Sequence, residues 1–236
     1  HTHEAKASLV SRLAARAAGC PRVIYGIHGV TFNDPGSRLR RWLLIAVERL
    51  TTPAAHFLIG VGEQVLAEYR RYGIGLGIPS AVVYSGIDTR RFVAASDAAR
   101  RGRKALRAAL GFPEDSLVLA SVGRFSHAKG QRFLIEAFAR LRTRFSSLRL
   151  LLIGEGELRA DCERQSEELG VRDAVRFHGF ESDIPSILPS ADIFVFTSLR
   201  EGLPRSVVEA YLSGLPVVSF EVEGAREVIE EGETGF

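Results

Sequence analysis

The sequence predicts an α/β protein built on two doubly wound parallel sheets, and three observations carry that prediction. Short apolar runs rich in β-branched and aromatic residues alternate along the chain with segments whose apolar residues recur at helical spacing. Such alternation implies parallel strands joined by helical crossovers. Glycine-bearing loops follow several of the expected strands, at the carboxyl ends where open α/β sheets bind ligands. Charge also divides the chain. Residues 1–115 hold 17 Lys and Arg against 9 Asp and Glu, and residues 116–236 hold 14 against 19, which points to two halves with different partners.

Residues 4–18 are alanine-rich, with Leu9, Leu13 and Ala17 on one stripe and Gly19 at the end, and read as a helix. Residues 22–27 read as a strand followed by His28-Gly29. Residues 38–50 form a helix whose face of Leu39, Trp42, Leu43, Ala46, Val47 and Leu50 is wholly apolar. Packing of that face into the core is the expectation. The competing reading is docking on an anionic membrane, since Arg38, Arg40, Arg41 and Arg49 surround it. A strand over 56–61, a helix over 63–72 and a strand over 80–84 follow. The Gly73-Ile-Gly-Leu-Gly77 run follows a helix and reads as a turn.

Residues 89–115 are polar and include Arg100-Arg-Gly-Arg-Lys104. They read as a passage between domains, with a helix near 104–110. The basic run lacks interleaved aromatics, so a solvated face is expected and nucleic acid is not a partner. The second half repeats the alternation. Strands are expected over 117–122, 148–153, 175–178, 192–197 and 216–220, with helices near 131–144, 158–169, 184–188 and 205–212. The domains therefore divide as residues 1–96 and 97–236.

The 46% apolar and 25% charged content is that of an ordinary globular protein, neither disordered nor fibrous. No apolar run approaches a membrane span. Cys20 and Cys162 lie far apart and form no motif; two buried thiols in a reducing compartment are expected. His1 and His3 have no third ligand nearby, and no Asp-x-Asp pair occurs, so no metal site is expected. Met is absent and the chain stops soon after a turn signal, which suggests a fragment open at both ends.

The candidate chemistry lies in the loops. After the strand near 192–197 comes Ser198-Leu-Arg-Glu-Gly-Leu-Pro-Arg205, with Pro204 suited to a first helical turn. A helix N-terminus suits phosphate. Glu201 sits in the loop and Glu209 eight residues on, inside the helix; each carboxylate can accept two hydroxyl hydrogen bonds. The alternative is two solvated glutamates. After the strand over 117–122, Gly123, Arg124, Lys129 and Gly130 join strand to helix. Glycine admits close backbone approach, and two cations can neutralise a diphosphate. Gly154-Glu-Gly-Glu157 is half of a dinucleotide fingerprint, with Arg159 where the third glycine belongs. His178-Gly-Phe180 ends another strand; its backbone around Gly179 could face a nucleobase, while Phe180 could equally be core.

Taken together, these loops resemble the retaining GT-B glycosyltransferases of family 4, also called glycosyl transferases group 1. Val122-Gly-Arg-…-Lys-Gly130 resembles the family's phosphate loop, and Glu201 with Glu209 its paired-glutamate motif. Arg176-Phe-His-Gly-Phe180 and Gly232-Glu-Thr-Gly-Phe236 match as well. In the first half, His1-Thr-His-…-Lys6-Ala resembles the family's turn into a helix, Tyr25-Gly-Ile-His-Gly29 its active-site histidine loop, and Ser85-Gly-Ile-Asp88 its Asn-Gly-Ile-Asp element, with Ser85 in place of Asn. The family's first acceptor-domain strands and its closing helices have no counterpart here.

The resemblance implies the GT-B fold of two Rossmann-like domains, both incomplete. It implies that Arg124 and Lys129 bind the donor diphosphate and that Glu209 holds the ribose hydroxyls. Glu201 would face the transferred sugar beside the amides of Gly202, Leu203 and Pro204, and His28 would approach that sugar from the other domain. Gly123, Gly154, Gly179 and Phe180 complete the implied donor site. The implied function is metal-independent, cofactor-free transfer from a UDP- or GDP-sugar to a glycan or lipid-linked acceptor in surface polysaccharide or glycolipid assembly. The implied location is the cytoplasm, peripheral at the inner face of the membrane. Rival readings are a GT-B epimerase or phosphorylase, and a nucleotide-sugar-binding module without catalysis.

Overall fold

The computed structural model describes residues 1–33 and 37–236, and the side chains of these except residues 5, 6, 33 and 96–101. Lys6, Arg100 and Arg101 therefore lie outside the described side chains. The chain divides into two units. The first comprises residues 1–86, 200–204 and 222–227; the second comprises 87–199, 205–221 and 228–236.

In the first unit, strands β1 (Thr2–His3), β2 (Ile24–Ile27), β3 (Phe57–Gly60) and β4 (Ser80–Val82) form one parallel sheet in the order 1-2-3-4. Helices α1 (Ala5–Ala17), α2 (Arg38–Thr51) and α3 (Glu63–Arg71) supply the crossovers. Strand β1 has only two residues, too short to show a period, and the sequence reading missed it. Tyr25, Ile27, Phe32, Ile45, Leu58, Val65, Leu66, Tyr69 and Ile74 make the core.

A polar cluster lies inside that core. Arg12 is fully buried, and its Nη2 donates to Glu48 Oε2 at 3.1 Å. Its Nη1 donates to Thr52 Oγ1 at 3.3 Å, and its guanidinium stacks 3.8 Å from the Tyr25 ring centre. Tyr25 donates to Glu48 Oε1 at 3.3 Å. Buried charges persist only when paired and hydrogen-bonded, and every member here has such a partner. Burial raises the Tyr25 and Tyr69 phenols well above their ordinary range, so both stay neutral donors.

Helix α2 presents a different face to the core than its apolar stripe predicts. Glu48 and Ile45 face inward, and the stripe expected in the core faces out. Leu39 is 81% exposed, Trp42 57%, Leu43 61% and Leu50 81%. The core-packing expectation for this face is therefore wrong. Ile45 and the Arg12–Glu48 pair, with Leu44 packed partly against the core, make up the inward face instead.

The second unit opens with α4 (Thr89–Ala109), then β5 (Leu117–Val122), α5 (Gln131–Arg142), β6 (Leu148–Ile153), α6 (Arg159–Glu168), β7 (Val175–Gly179), α7 (Ile184–Ile187), β8 (Ile193–Phe196), α8 (Arg205–Leu212) and β9 (Val217–Ser219). All five strands are parallel, in the order β7-β6-β5-β8-β9. The order reverses beside β5, where chain connections diverge to opposite sides of the sheet. Leu134, Ile135, Phe138, Leu150, Leu152, Ala174 and Phe177 fill the core on one face.

The expected polar passage is instead a 21-residue helix, α4. The Asp88 carboxylate accepts from the Arg90 N–H at 3.2 Å and caps it, as short polar side chains do at helix starts. Phe92 is buried. The Arg107 guanidinium donates to Asp192 Oδ2 at 2.6 Å and to the carbonyls of Ser190, Glu114 and Ser116. Arg103 also reaches Asp192. Of the basic run, Arg103 is thus tied to Asp192 at the amino-terminal end of β8, whereas Lys104 is exposed and pairs with Glu114.

Among the described residues, no helix is long and apolar enough to cross a membrane, and no group of three or more His, Cys, Asp or Glu is placed to hold a metal ion. Both cysteines are free. Cys162 is buried as expected, but Cys20 is exposed.

Candidate active site

Loops leaving β5 and β8 meet beside the point where strand order reverses. After β5 the chain passes Gly123 and Arg124, makes a short 3-10 turn at His127–Lys129, and reaches Gly130 in the left-handed region at φ +65°. A Cβ on Gly130 would lie 2.3 Å from the Thr197 carbonyl oxygen. Thr197 Oγ1 donates to the Lys129 carbonyl at 3.2 Å, and the Leu199 N–H donates to the Ala128 carbonyl at 2.8 Å. The buried Gln131 side chain donates to the Arg124 carbonyl at 2.9 Å. The loop after β5 is thus clamped by its own helix and by the end of β8. The Lys129 stem lies along Gly123, 3.5 Å from where a Cβ would stand.

The loop after β6 runs beside the first. Gly123 donates to the Ile153 carbonyl at 3.0 Å, and Phe125 to the Glu155 carbonyl at 3.0 Å. A Cβ on Gly154 would fall 2.2 Å from the Gly123 oxygen, and one on Gly156 would fall 2.3 Å from the Phe125 oxygen. Both glycines of the half-fingerprint therefore serve loop-to-loop packing. Strand β7 ends in a register shift that makes Gly179 the partner of Ile153. The Gly154 N–H then donates to the Gly179 carbonyl at 2.7 Å.

These three loops enclose a cavity of about 360 Å³ lined by Gly123, Arg124, Gly154, Glu155, Phe180 and Ile184, among others. Phe180 is 77% exposed, so it is not core, and it lines the cavity. Arg124 Nε donates to Glu157 Oε2 at 3.0 Å, with both groups exposed. The Glu157 carboxyl is held below its ordinary range, first by its own backbone N–H and then by Arg124. Glu181 is likewise held low by the Asp183 N–H and by His178. Sequence reading had not recognised Glu157 as the partner of Arg124; the opposite charges in adjacent βα loops were the available signal.

Glu209 lies mid-helix on α8 and is half-buried. Burial pushes its carboxyl above the ordinary range, and Arg205 pulls it partly back. A solvated glutamate would show no such burial.

The first unit gathers the other candidates. His28 follows β2, and its carbonyl oxygen would sit only 2.0 Å from a Cβ on Gly202. A Cβ on Gly224 would stand 2.1 Å from the Gly202 oxygen. Three backbone segments thus touch, and only glycine fits at 202 and 224. Glu201 and Leu203, on either side of Gly202, are half-buried, and Pro204 is buried. His28 Nε2 lies 2.8 Å from His3 Nδ1. The Glu227 carboxylate accepts from the N–H groups of Glu63 and Gln64 at 3.0 and 2.8 Å, capping α3. Sequence reading names His3 only as a histidine without metal partners and as part of a family-like turn, and it does not single out Glu227, because the contacts of both are to residues far along the chain.

Residues 102–236 match the model of the Glycosyl transferases group 1 family, and residues 1–91 match that of Glycosyltransferase Family 4. EpsD of Bacillus subtilis (strain 168), provisionally named a glycosyltransferase, is 33% identical over 100% of this chain and 62% of its own. The UDP-Gal:alpha-D-GlcNAc-diphosphoundecaprenol alpha-1,3-galactosyltransferase of Escherichia coli is 27% identical over 100% of this chain and 61% of its own. Among solved structures, Anabaena Alr3699/HepE in complex with UDP and glucose superposes with a TM-score of 0.81 at 25% identity, over 99% of this chain and 62% of that one. This chain thus spans about three fifths of the length of such relatives. On the match of its loops, its two parallel sheets and these comparisons, the chain belongs to the glycosyl transferases group 1 family and has the GT-B architecture.

Proposed function

We propose that the chain carries the donor site of a retaining, metal-independent glycosyltransferase that moves a sugar from a nucleotide-sugar to a glycan or lipid-linked acceptor in surface polysaccharide or glycolipid assembly. Residues 1–96 belong to the acceptor-side domain and residues 97–236 to the donor domain. The observation that carries the proposal is the cavity at the ends of β5, β6 and β7, where Gly123, Arg124, Gly154 and the exposed ring of Phe180 converge. Its size suits a nucleoside, and aromatic faces stack on bases. UDP is the first nucleotide to test, because HepE binds it and the Escherichia coli relative uses UDP-Gal.

In this reading Arg124 exchanges Glu157 for the donor diphosphate. Exposed ion pairs contribute little, so Glu157 keeps the guanidinium oriented without holding it against a dianion. Lys129 meets the same group. As the sugar–phosphate bond breaks, negative charge grows on the leaving nucleotide, and fixed cations placed there lower the barrier. Glu209 holds ribose hydroxyls, and its raised carboxyl is stabilised as a carboxylate once hydroxyls donate to it. Glu201 and the backbone around Gly202 to Pro204, where the N–H groups of Gly202 and Leu203 are the donors, face the sugar, as does His28. The acceptor attacks the face from which the nucleotide departs, so configuration is retained.

The exposed face of α2 supports docking at the inner membrane surface. Arg38, Arg40 and Arg49 are exposed around Trp42, Leu39 and Leu43, and the helix's one acid, Glu48, is buried. Each cation near an anionic leaflet contributes about 1 kcal/mol. Sedimentation of the full-length protein with anionic but not neutral vesicles is the expected result, and equal sedimentation would refute it. The donor test is a thermal-shift series with UDP, GDP and ADP, followed by transfer assays in EDTA and NMR of the product anomer. UDP-dependent stabilisation with retained configuration is expected. An epimer or phosphorolysis product, or binding without transfer, would overturn the proposal.

A further inference from the structure

We infer that His3 is a positioning residue that holds the imidazole of His28 in its working orientation; this rests on the proposed role of His28. Four observations converge. First, His3 ends the two-residue strand β1, directly opposite Gly26 of β2 in the parallel register. Second, a Cβ on Gly26 would stand 2.5 Å from His3 Nδ1 and 2.9 Å from His3 Cε1. The imidazole occupies the space a side chain at 26 would fill, so Gly26 is a slot for this ring. Third, the chain turns into α1 through Glu4 at φ +67°, the one non-glycine residue at positive φ among those described. Such a conformation persists only where surrounding structure holds it. Thr2 supplies an anchor, bonding to Ser8 Oγ at 2.8 Å and donating to the Ile24 carbonyl. Fourth, the ring so placed puts Nδ1 2.8 Å from His28 Nε2, with ring centres 5.1 Å apart and planes 51° apart.

The chemistry of the contact is restrictive. One facing nitrogen must donate and the other must accept. Whichever tautomer is present, Nε2 of His28 is committed to His3, and the ring cannot flip without losing the bond. The His28 backbone is already fixed by its close approach to Gly202. Main chain and side chain are thus held from different directions, as catalytic geometry demands. The histidine spacing at the start of the chain, unremarkable as a metal motif, becomes a support for a residue 25 positions on.

The test uses the full-length enzyme and its UDP-sugar donor. His3→Phe keeps a ring over Gly26 but removes Nδ1. Its expected effect is a fall in kcat of about 10- to 100-fold, the scale of a small misplacement of a reacting group, with donor KM within about twofold because binding is untouched. His3→Asn puts an amide near the Nδ1 position and should recover most of the loss. Nitrogen-15 NMR should show His28 Nε2 in a hydrogen bond in the wild type and a shifted signal in His3→Phe. If His28→Ala loses activity while His3→Phe keeps wild-type kcat, or if wild-type His28 Nε2 is not hydrogen-bonded, the positioning role is wrong. If His28→Ala keeps wild-type kcat, the assignment of His28 itself falls, and the inference with it.

Discussion

Gly130 and Gly170 make a matched pair that separates backbone conformation from crowding. Their φ values are +65° and +66°. Alanine in that region costs about 1–2 kcal/mol at either site. Nothing lies within 4 Å of a Cβ on Gly170, whereas a Cβ on Gly130 would meet the Thr197 carbonyl oxygen at 2.3 Å. Carbon–oxygen contacts normally stop near about 3.3 Å, so the backbone must give by roughly 1 Å. Thr197 cannot retreat freely, because its hydroxyl and the following Leu199 N–H are bonded to the same loop. Overpacking of this kind adds about 1–3 kcal/mol. Gly130→Ala should therefore lose about 2–5 kcal/mol, against about 1–2 for Gly170→Ala. Scanning fluorimetry of the full-length variants under identical conditions should show the larger drop in Tm for Gly130→Ala. Titration with UDP should show weakened binding for that variant alone, since the displaced loop carries Lys129 and leads back to Arg124. Equal Tm losses with unchanged UDP affinity would refute both the steric argument and the loop's role.

Lys129→Ala should lower kcat by roughly 30-fold or more, the scale of losing one partner of a desolvated charge pair, while donor KM moves less; near wild-type kinetics would remove Lys129 from the diphosphate site. Glu209→Gln should raise donor KM while leaving kcat largely intact. The folded carboxyl binds its proton more tightly than the unfolded one, so its ionisation lowers stability at neutral pH, and that loss fades as pH falls through the raised folded value. The same substitution should therefore raise Tm at pH 7 and not near pH 4, and a lower Tm at pH 7 would contradict the burial argument. Donor affinity of the wild type should fall as pH drops towards 4.5, the ordinary value, and should stay flat in Glu209→Gln. Burial pushes the Cys162 thiol up to about 11, so iodoacetamide at pH 8 should alkylate Cys20 and spare Cys162 in the folded protein, as peptide mass spectrometry would show.

Most elements were legible because their signals are local. Strands β5, β6 and β8 are largely apolar runs, the first two ending at Gly123 and Gly154, and α8 starts after Pro204 and stops before Gly214, as capping chemistry requires. The loops that carry Gly123, Arg124, Lys129 and Glu201, and the helix start leading to Glu209, are legible for the same reason. A strand end, a glycine and a helix start lie within a few residues of one another. Where reading failed, the deciding partner was distant. Helix α2 turns Glu48 inward to Arg12, 36 residues earlier, and shows Leu39, Trp42, Leu43 and Leu50 to solvent. Helix α4 runs through a segment that looked like a linker because Arg103 and Arg107 find Asp192.

The sequence by itself determined the class of fold, the order of its elements and the loops that hold the candidate chemistry, since periodicity and turn chemistry act over a few residues. Tertiary structure decided which faces are buried and which groups are paired. It set Glu157 against Arg124, Glu227 on the start of α3, and Phe180 at the mouth of a cavity instead of in the core. It also made a slot of Gly26 for His3. The physical reason is common to all of them. Hydrogen bonds, ion pairs and close contacts depend on distances of a few ångströms between residues that the chain separates by tens of positions, and no local pattern encodes those distances.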